Sequence, residues 1–92
     1  MNKSTNVVLL IDDEPKIRRF LRAGFELHGF TVIEAENAAD GLKAATFNAP
    51  DLIILDLDLP DLDGVKTTAI LKQNPKTSQI PVVAVTAWMS AL

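Results

Sequence analysis

The sequence predicts an α/β domain built on a parallel sheet, and three observations lead there. Four short apolar runs alternate with stretches of helical periodicity, the runs are apolar at consecutive positions, and the connections between elements are short. A strand covered on one face alternates apolar and polar residues, whereas one covered on both faces does not. Strand–helix alternation with short links implies right-handed crossovers and helices on both sides of the sheet.

The first run, Val7-Val8-Leu9-Leu10-Ile11, stops at Asp12. Pro15 suits the first position of a helix, and Ile17, Phe20, Leu21, Gly24 and Phe25 recur with helical spacing. Gly29 ends that helix, with His28 read as a residue of its last turn. The second run, Phe30-Thr31-Val32-Ile33, gives way to Glu34-Ala35-Glu36. Asn37 is the expected N-cap of an Ala-rich second helix that carries Leu42 and Ala45 and ends before Pro50. Asp51-Leu52-Ile53-Ile54-Leu55 is the third run and stops at Asp56. Gly64 to Gln73 reads as a third helix, closed by Asn74-Pro75, and 76–79 as a loop. The fourth run, Pro81-Val82-Val83-Ala84-Val85, ends at Thr86.

Composition narrows the function classes. Ninety-two residues, 48% of them hydrophobic, suit one small globular domain spanning 1–92. There is no cysteine and one histidine, which excludes a disulfide framework and a Cys- or His-based metal site. The formal net charge of −3 gives no basis for nucleic-acid binding by this segment. Met1 to Asn6 is short and polar, and no apolar stretch approaches the roughly 20 residues that span a bilayer. The expectation is a soluble, cytoplasmic domain without membrane contact.

In open parallel sheets, ligands bind beyond the carboxyl ends of the strands, near a switch in strand order. That rule brings Asp12-Asp13, Asp56 and Thr86 together. Two unit charges 4 Å apart at an effective dielectric of 20 repel by about 4 kcal/mol, so clustered carboxylates take up protons or a cation. An all-oxygen donor set suits a hard ion such as Mg²⁺. Carboxylates holding Mg²⁺ beside a further carboxylate form a phosphoryl-transfer arrangement, in which an Asp attacks phosphorus and Thr86 hydrogen-bonds a phosphoryl oxygen.

The paired acids Asp12-Asp13, the stretch from Asp51 through Asp56, Asp58, Pro60, Asp61 and Asp63 to Gly64, and Pro81 to Ala87 resemble three motifs of response-regulator receiver domains. Their order and spacing match over essentially the whole chain. The resemblance implies a flavodoxin-like sheet in the order 2-1-3-4. It further implies Asp56 as phosphoacceptor, Asp12 and Asp13 as metal-side acids, the Asp58 backbone carbonyl as a further ligand, and Thr86 as the switch hydroxyl. A sensor histidine kinase or phosphotransfer protein would be the donor, and the domain would be no enzyme beyond handling its own phosphoryl group.

The family has five strands and a lysine ending the fifth, for which this chain shows no counterpart: Lys16, Lys43, Lys66, Lys72 and Lys76 all precede the fourth run. Loss of one electrostatic stabiliser typically costs about 10²–10³ in rate, so phosphorylation is expected to be slow. An open fourth strand also invites pairing with another chain, so self-association through that edge or the C-terminal segment is expected.

Two other readings compete. A receiver-like module could bind partners without being phosphorylated. Asp56-Leu57-Asp58 also resembles the Asp-x-Asp of haloacid-dehalogenase phosphatases, although that family carries it on its first strand. Among single residues, Asp12-Asp13 could serve only as a helix cap, and Asp61 and Asp63 read as turn residues. Gly64 fits a tight start of the third helix, and Trp88 is assigned to shielding the site or to a dimer contact.

Overall fold

A computed structural model describes residues 6–85. It contains β1 (Asn6–Ile11), α1 (Pro15–Leu27), β2 (Phe30–Ala35), α2 (Ala38–Asn48), β3 (Leu52–Asp56), α3 (Gly64–Gln73) and β4 (Val82–Val85). The four strands are parallel and lie in the order β2-β1-β3-β4. Thr86 and Trp88 lie outside the described residues. No helix among the described residues is long and apolar enough to cross a membrane.

The consecutive apolar residues of β1 divide between two cores. Leu9 and Ile11 join Ile53 and Leu55 against Ala38 and Ala45 of α2 and Leu71 of α3. Val8 and Leu10 join Val32 and Ile54 on the opposite face, where Leu21 and Phe25 of α1 pack. Phe25 meets Phe30 edge-on, with ring centroids 5.3 Å apart. Each residue of β1 from Val8 to Ile11 is thereby shut from solvent, which explains the absence of alternation.

Local chemistry sets the ends of the helices. Pro15 opens α1, and Gly29, at a φ of 87°, turns the chain out of it. The Asn37 side chain caps α2 by accepting from the Asp40 N–H at 2.8 Å, and Asp63 caps α3 through the Lys66 N–H at 2.8 Å. His28 occupies the C-terminal cap of α1, its Nδ1 3.0 Å from the Gly24 carbonyl oxygen.

Three expectations need adjustment. β2 runs on through Glu34 to Ala35, because its pairing with β1 continues to Ile11↔Ala35 and Glu34 faces outward. β3 begins one residue late and includes Asp56, while the Asp51 side chain accepts from the Val7 N–H at 2.8 Å. Phe20 shares the helical spacing of Ile17, Leu21 and Phe25 but is 72% exposed. The half-buried stripe is Ile17, Leu21 and Phe25, and Phe20 falls on its flank, beyond the reach of the sheet.

Candidate functional site

The site is a product of strand register. Ile11 pairs with Leu55, so Asp12 and Asp56 follow on the next rung at the carboxyl ends of the two central strands. Asp12 is 6% exposed and Asp56 7%, while Asp13 reaches into solvent. Carboxylate oxygens of Asp12, Asp13 and Asp56 lie within 4.8 Å of one another.

Backbone donors hold the two buried carboxylates. Asp12 Oδ1 accepts from the Glu14 N–H at 2.8 Å, and Asp56 Oδ1 accepts from the Asp58 N–H at 2.9 Å. The Asp12 N–H itself donates to the Ala35 carbonyl at 3.0 Å, which ties the loop after β1 to the end of β2. The helix cap of α1 is Glu14, whose side chain accepts from the Lys16 N–H at 3.1 Å, so Asp12 and Asp13 are not spent on capping.

Electrostatics follow from this packing. Burial pushes Asp12 above its ordinary carboxylate range, against the Glu14 N–H, and the neighbouring Asp56 and Asp13 charges push the same way. Burial likewise raises Asp56, opposed by the Asp58 N–H and reinforced by Asp13. Such groups are ionised at a cost that a divalent cation would remove. The donors are all oxygens, two are anchored, and one is free to adjust at the solvent face, which fits a small hard cation that keeps several waters. Beside the site, Arg18, Glu34, Ala35, Glu36 and Asp40 line an open cleft of about 380 Å³. Its predominance of carboxylates does not suit an anion.

Of the residues singled out in the sequence, the structure brings together Asp12, Asp13 and Asp56, with Asp58 two positions beyond Asp56 and its N–H bonded to it. Asp61, read as a turn residue, instead caps α2 from the loop after β3. Gly64 is buried where its N–H donates to the Leu57 carbonyl at 2.9 Å. Arg18 was not singled out, yet its Nη1 donates to the Asp12 carbonyl. Its only trace in the sequence is a basic residue one turn into the helix that starts at Pro15, just after the acidic pair.

Comparison with known proteins agrees with this geometry. The family model described as response regulator receiver domain matches residues 8–91. The KDP operon transcriptional regulatory protein KdpE of Escherichia coli is 48% identical over 80 residues, covering 87% of this chain and 34% of KdpE. Protein PilH of Pseudomonas aeruginosa is 39% identical over 79 residues, covering 86% of this chain and 65% of PilH. The chain thus spans about a third of the first relative and just under two thirds of the second. Among solved structures, the N-terminal domain of a response regulator receiver protein from Methanoculleus marisnigri superposes with a TM-score of 0.86 at 33% identity, covering 91% of this chain and 68% of that one.

Proposed function

The chain belongs to the response regulator receiver domain family, and from that premise we propose that Asp56 accepts a phosphoryl group with Mg²⁺ held beside it. The observation that carries the proposal is the gathering of three carboxylates within 4.8 Å at the ends of the two central strands. Asp12, Asp13 and Asp56 would hold the ion, with the Asp58 backbone carbonyl as a further ligand. When bound, Mg²⁺ supplies the positive charge that lets an anionic phosphoryl donor approach an anionic acceptor.

The Asp58 N–H fixes the Asp56 carboxylate through Oδ1. A carboxylate oxygen of Asp56 attacks phosphorus; the new O–P bond forms as the N–P bond to the donor histidine breaks, and that bond pair leaves with the imidazole. Thr86 would donate its hydroxyl hydrogen to a phosphoryl oxygen, a role supported by its place after the fourth apolar run. Water later cleaves the acyl phosphate, restoring the carboxylate and releasing inorganic phosphate. The domain therefore turns over only its own phosphoryl group. A sensor histidine kinase or phosphotransfer protein would be the donor, in the cytoplasm.

The haloacid-dehalogenase reading is set aside. Here the Asp-x-Asp begins at the last residue of the third strand and the acidic pair lies upstream, opposite to that family's arrangement. The interaction-module reading draws on a different observation. Among the described residues β4 pairs only with β3, and Val83 on it is 49% exposed. That edge supports self-association or pairing with another receiver, alongside or without phosphorylation.

Incubation with acetyl phosphate and Mg²⁺, followed by intact mass, tests the proposal. A phosphoryl adduct on the chain that vanishes in Asp56→Ala and on omission of Mg²⁺ is expected. A folded sample without an adduct would leave the interaction module as the better reading, as would partner binding that persists in Asp56→Ala.

A further inference from the structure

We propose that Arg18 is a positioning residue for the acidic site, setting its affinity for a divalent cation by locking the loop that carries Asp12 and Asp13. The proposal rests on the Mg²⁺ reading above. Arg18 lies in the first turns of α1, with only 15% of its side chain exposed. Its Nη1 donates to the Asp12 carbonyl, and its Nε to Glu34 Oε1 at 2.9 Å. The second oxygen of Glu34 accepts from Arg22 Nη1, and Arg22 also donates to Glu26 at 3.1 Å. These bonds hold Glu34 below its ordinary range, the Arg22 bond foremost, so it remains charged. One guanidinium thus joins α1, the end of β1 and the end of β2.

Asp12 is consequently held on three sides. Its N–H donates to Ala35, its carboxylate accepts from the Glu14 N–H, and its carbonyl accepts from Arg18. That carbonyl belongs to the planar peptide joining Asp12 to Asp13. Fixing its oxygen fixes the plane, and with it the direction in which the Asp13 side chain leaves the loop. Asp13 is the exposed member of the triad, so the arrangement of its carboxylate depends most on how its backbone is held.

The sign of the effect separates positioning from charge. A guanidinium beside a cation site repels the cation, and Arg18 already lowers the proton affinity of Asp12 slightly. If charge were its only influence, removing it would tighten Mg²⁺ binding. Positioning predicts the opposite. Lysine keeps the charge but offers a single nitrogen, which cannot serve the Asp12 carbonyl and Glu34 in the same fork geometry.

The test is calorimetric titration of Mg²⁺ into the full chain and into Arg18→Lys, Arg18→Gln and Glu34→Gln. Groups that orient metal ligands typically contribute 10–100-fold in affinity, so both Arg18 variants are expected to bind about tenfold more weakly. Glu34→Gln should lose less, and should add nothing in the Arg18→Lys background. Amide hydrogen exchange of the metal-free chain should quicken at Asp12 and Glu14 and stay unchanged at Leu9 in the centre of β1, which a general loss of stability would not produce. Tighter binding by Arg18→Gln, or unchanged binding by Arg18→Lys, would overturn the proposal. Should the Arg18 variants fail to fold, Glu34→Gln decides through exchange as well as affinity, because loss of its charge alone would also weaken cation binding. Weaker binding with quicker exchange at Asp12 and Glu14 supports positioning, and unchanged binding or unchanged exchange overturns it. A wild-type chain that takes up no Mg²⁺ would sink the metal-site reading and this one with it. Wild-type binding with unaltered variants sinks this one alone.

Discussion

Asp61 caps a helix that lies far behind it in the chain: its Oδ1 accepts from the Ala38 N–H at 2.8 Å and its Oδ2 from the Ala39 N–H at 3.0 Å. These are two of the first-turn donors of α2 that no intrahelical carbonyl can serve, and a carboxylate there also meets the positive end of the helix dipole. The bonds to Ala38 and Ala39 hold Asp61 below its ordinary value of 3.8. A depressed carboxylate stabilises the fold above the unfolded-state value, and that stabilisation is lost as pH falls through the folded-state value. Asp61→Ala should therefore melt at a lower temperature than wild type at neutral pH, with the gap closing in acid. Thermal melts across a pH series give the result; a gap independent of pH would rule out the charged cap.

Asp12 and Asp56 carry the opposite sign. Both are raised, chiefly by burial, so in the metal-free chain their contribution is fully present below the unfolded-state value and lost as pH rises through the raised one. Asp56→Asn should consequently raise the melting temperature of the metal-free protein at neutral pH. Recovery of about 1 kcal/mol corresponds to roughly 4–8 °C for a domain of this size. Mg²⁺ should stabilise wild type by about 2.7 kcal/mol at a hundredfold excess over its Kd, and Asp56→Asn by less. Scanning calorimetry with and without Mg²⁺ measures both.

Gly64 has no room for a side chain. A Cβ there would stand 2.6 Å from the Leu57 Cα, 2.7 Å from Leu57 Cδ2 and 3.0 Å from the Asp56 carbonyl oxygen. The obstruction is partly backbone, so the loop between β3 and α3 must shift. Gly64→Ala is expected to cost about 1–3 kcal/mol by overpacking, and to weaken Mg²⁺ binding because the same loop carries Asp58. Urea unfolding and Mg²⁺ titration check the two parts separately.

Ala49 ends α2 in the left-handed region, at φ 46° and ψ 61°. A non-glycine residue there costs about 1–2 kcal/mol that glycine avoids. Ala49→Gly should stabilise the protein by somewhat less than that, near 1 kcal/mol, because glycine also gains freedom in the unfolded chain. An unchanged or lower urea midpoint would contradict it.

β2 and β4 are the two edges of the sheet among the described strands, and β4 carries the exposed apolar residues Val83 and Ala84 side by side. If copies associate along that edge, Val83→Lys should shift the population towards monomer, since a charge at a sheet edge opposes strand addition. Sedimentation equilibrium of the two proteins at matched concentration reads the outcome.

Much of this architecture is legible locally. α3 spans the residues that its flanking turn signals bracket, α1 begins at Pro15, and Asn37 caps α2, because each depends on chemistry within four residues. The acidic triad is legible because strand ends in a parallel sheet converge by rule. What escaped depends on partners beyond that four-residue reach, some six residues away and others on a different element. Asp61 reads as a turn residue until α2 lies beside it. Phe20 fits the helical period, but the neighbouring sheet determines which part of the face is covered. Thr77 sits in a polar loop yet is 1% exposed, its hydroxyl donating to the Leu71 carbonyl at 2.6 Å. Arg18 looks like any basic residue on a helix until its fork closes on Asp12 and Glu34.

The pairing of Ile11 with Leu55 bears on how such a chain can change in length. Successive side chains of a strand point to opposite faces, so one residue inserted within β1 or β3 would carry Asp12 or Asp56 off its rung and reverse its direction. The turn at Ala49-Pro50, on the return path from α2 to the sheet, can take added residues without moving either, whereas residues added inside α2 would turn Ala38 and Ala45 out of the core they share with Leu9 and Ile11. Over a long history of insertions and deletions, variation in length should collect in that return path while the two strands keep their count.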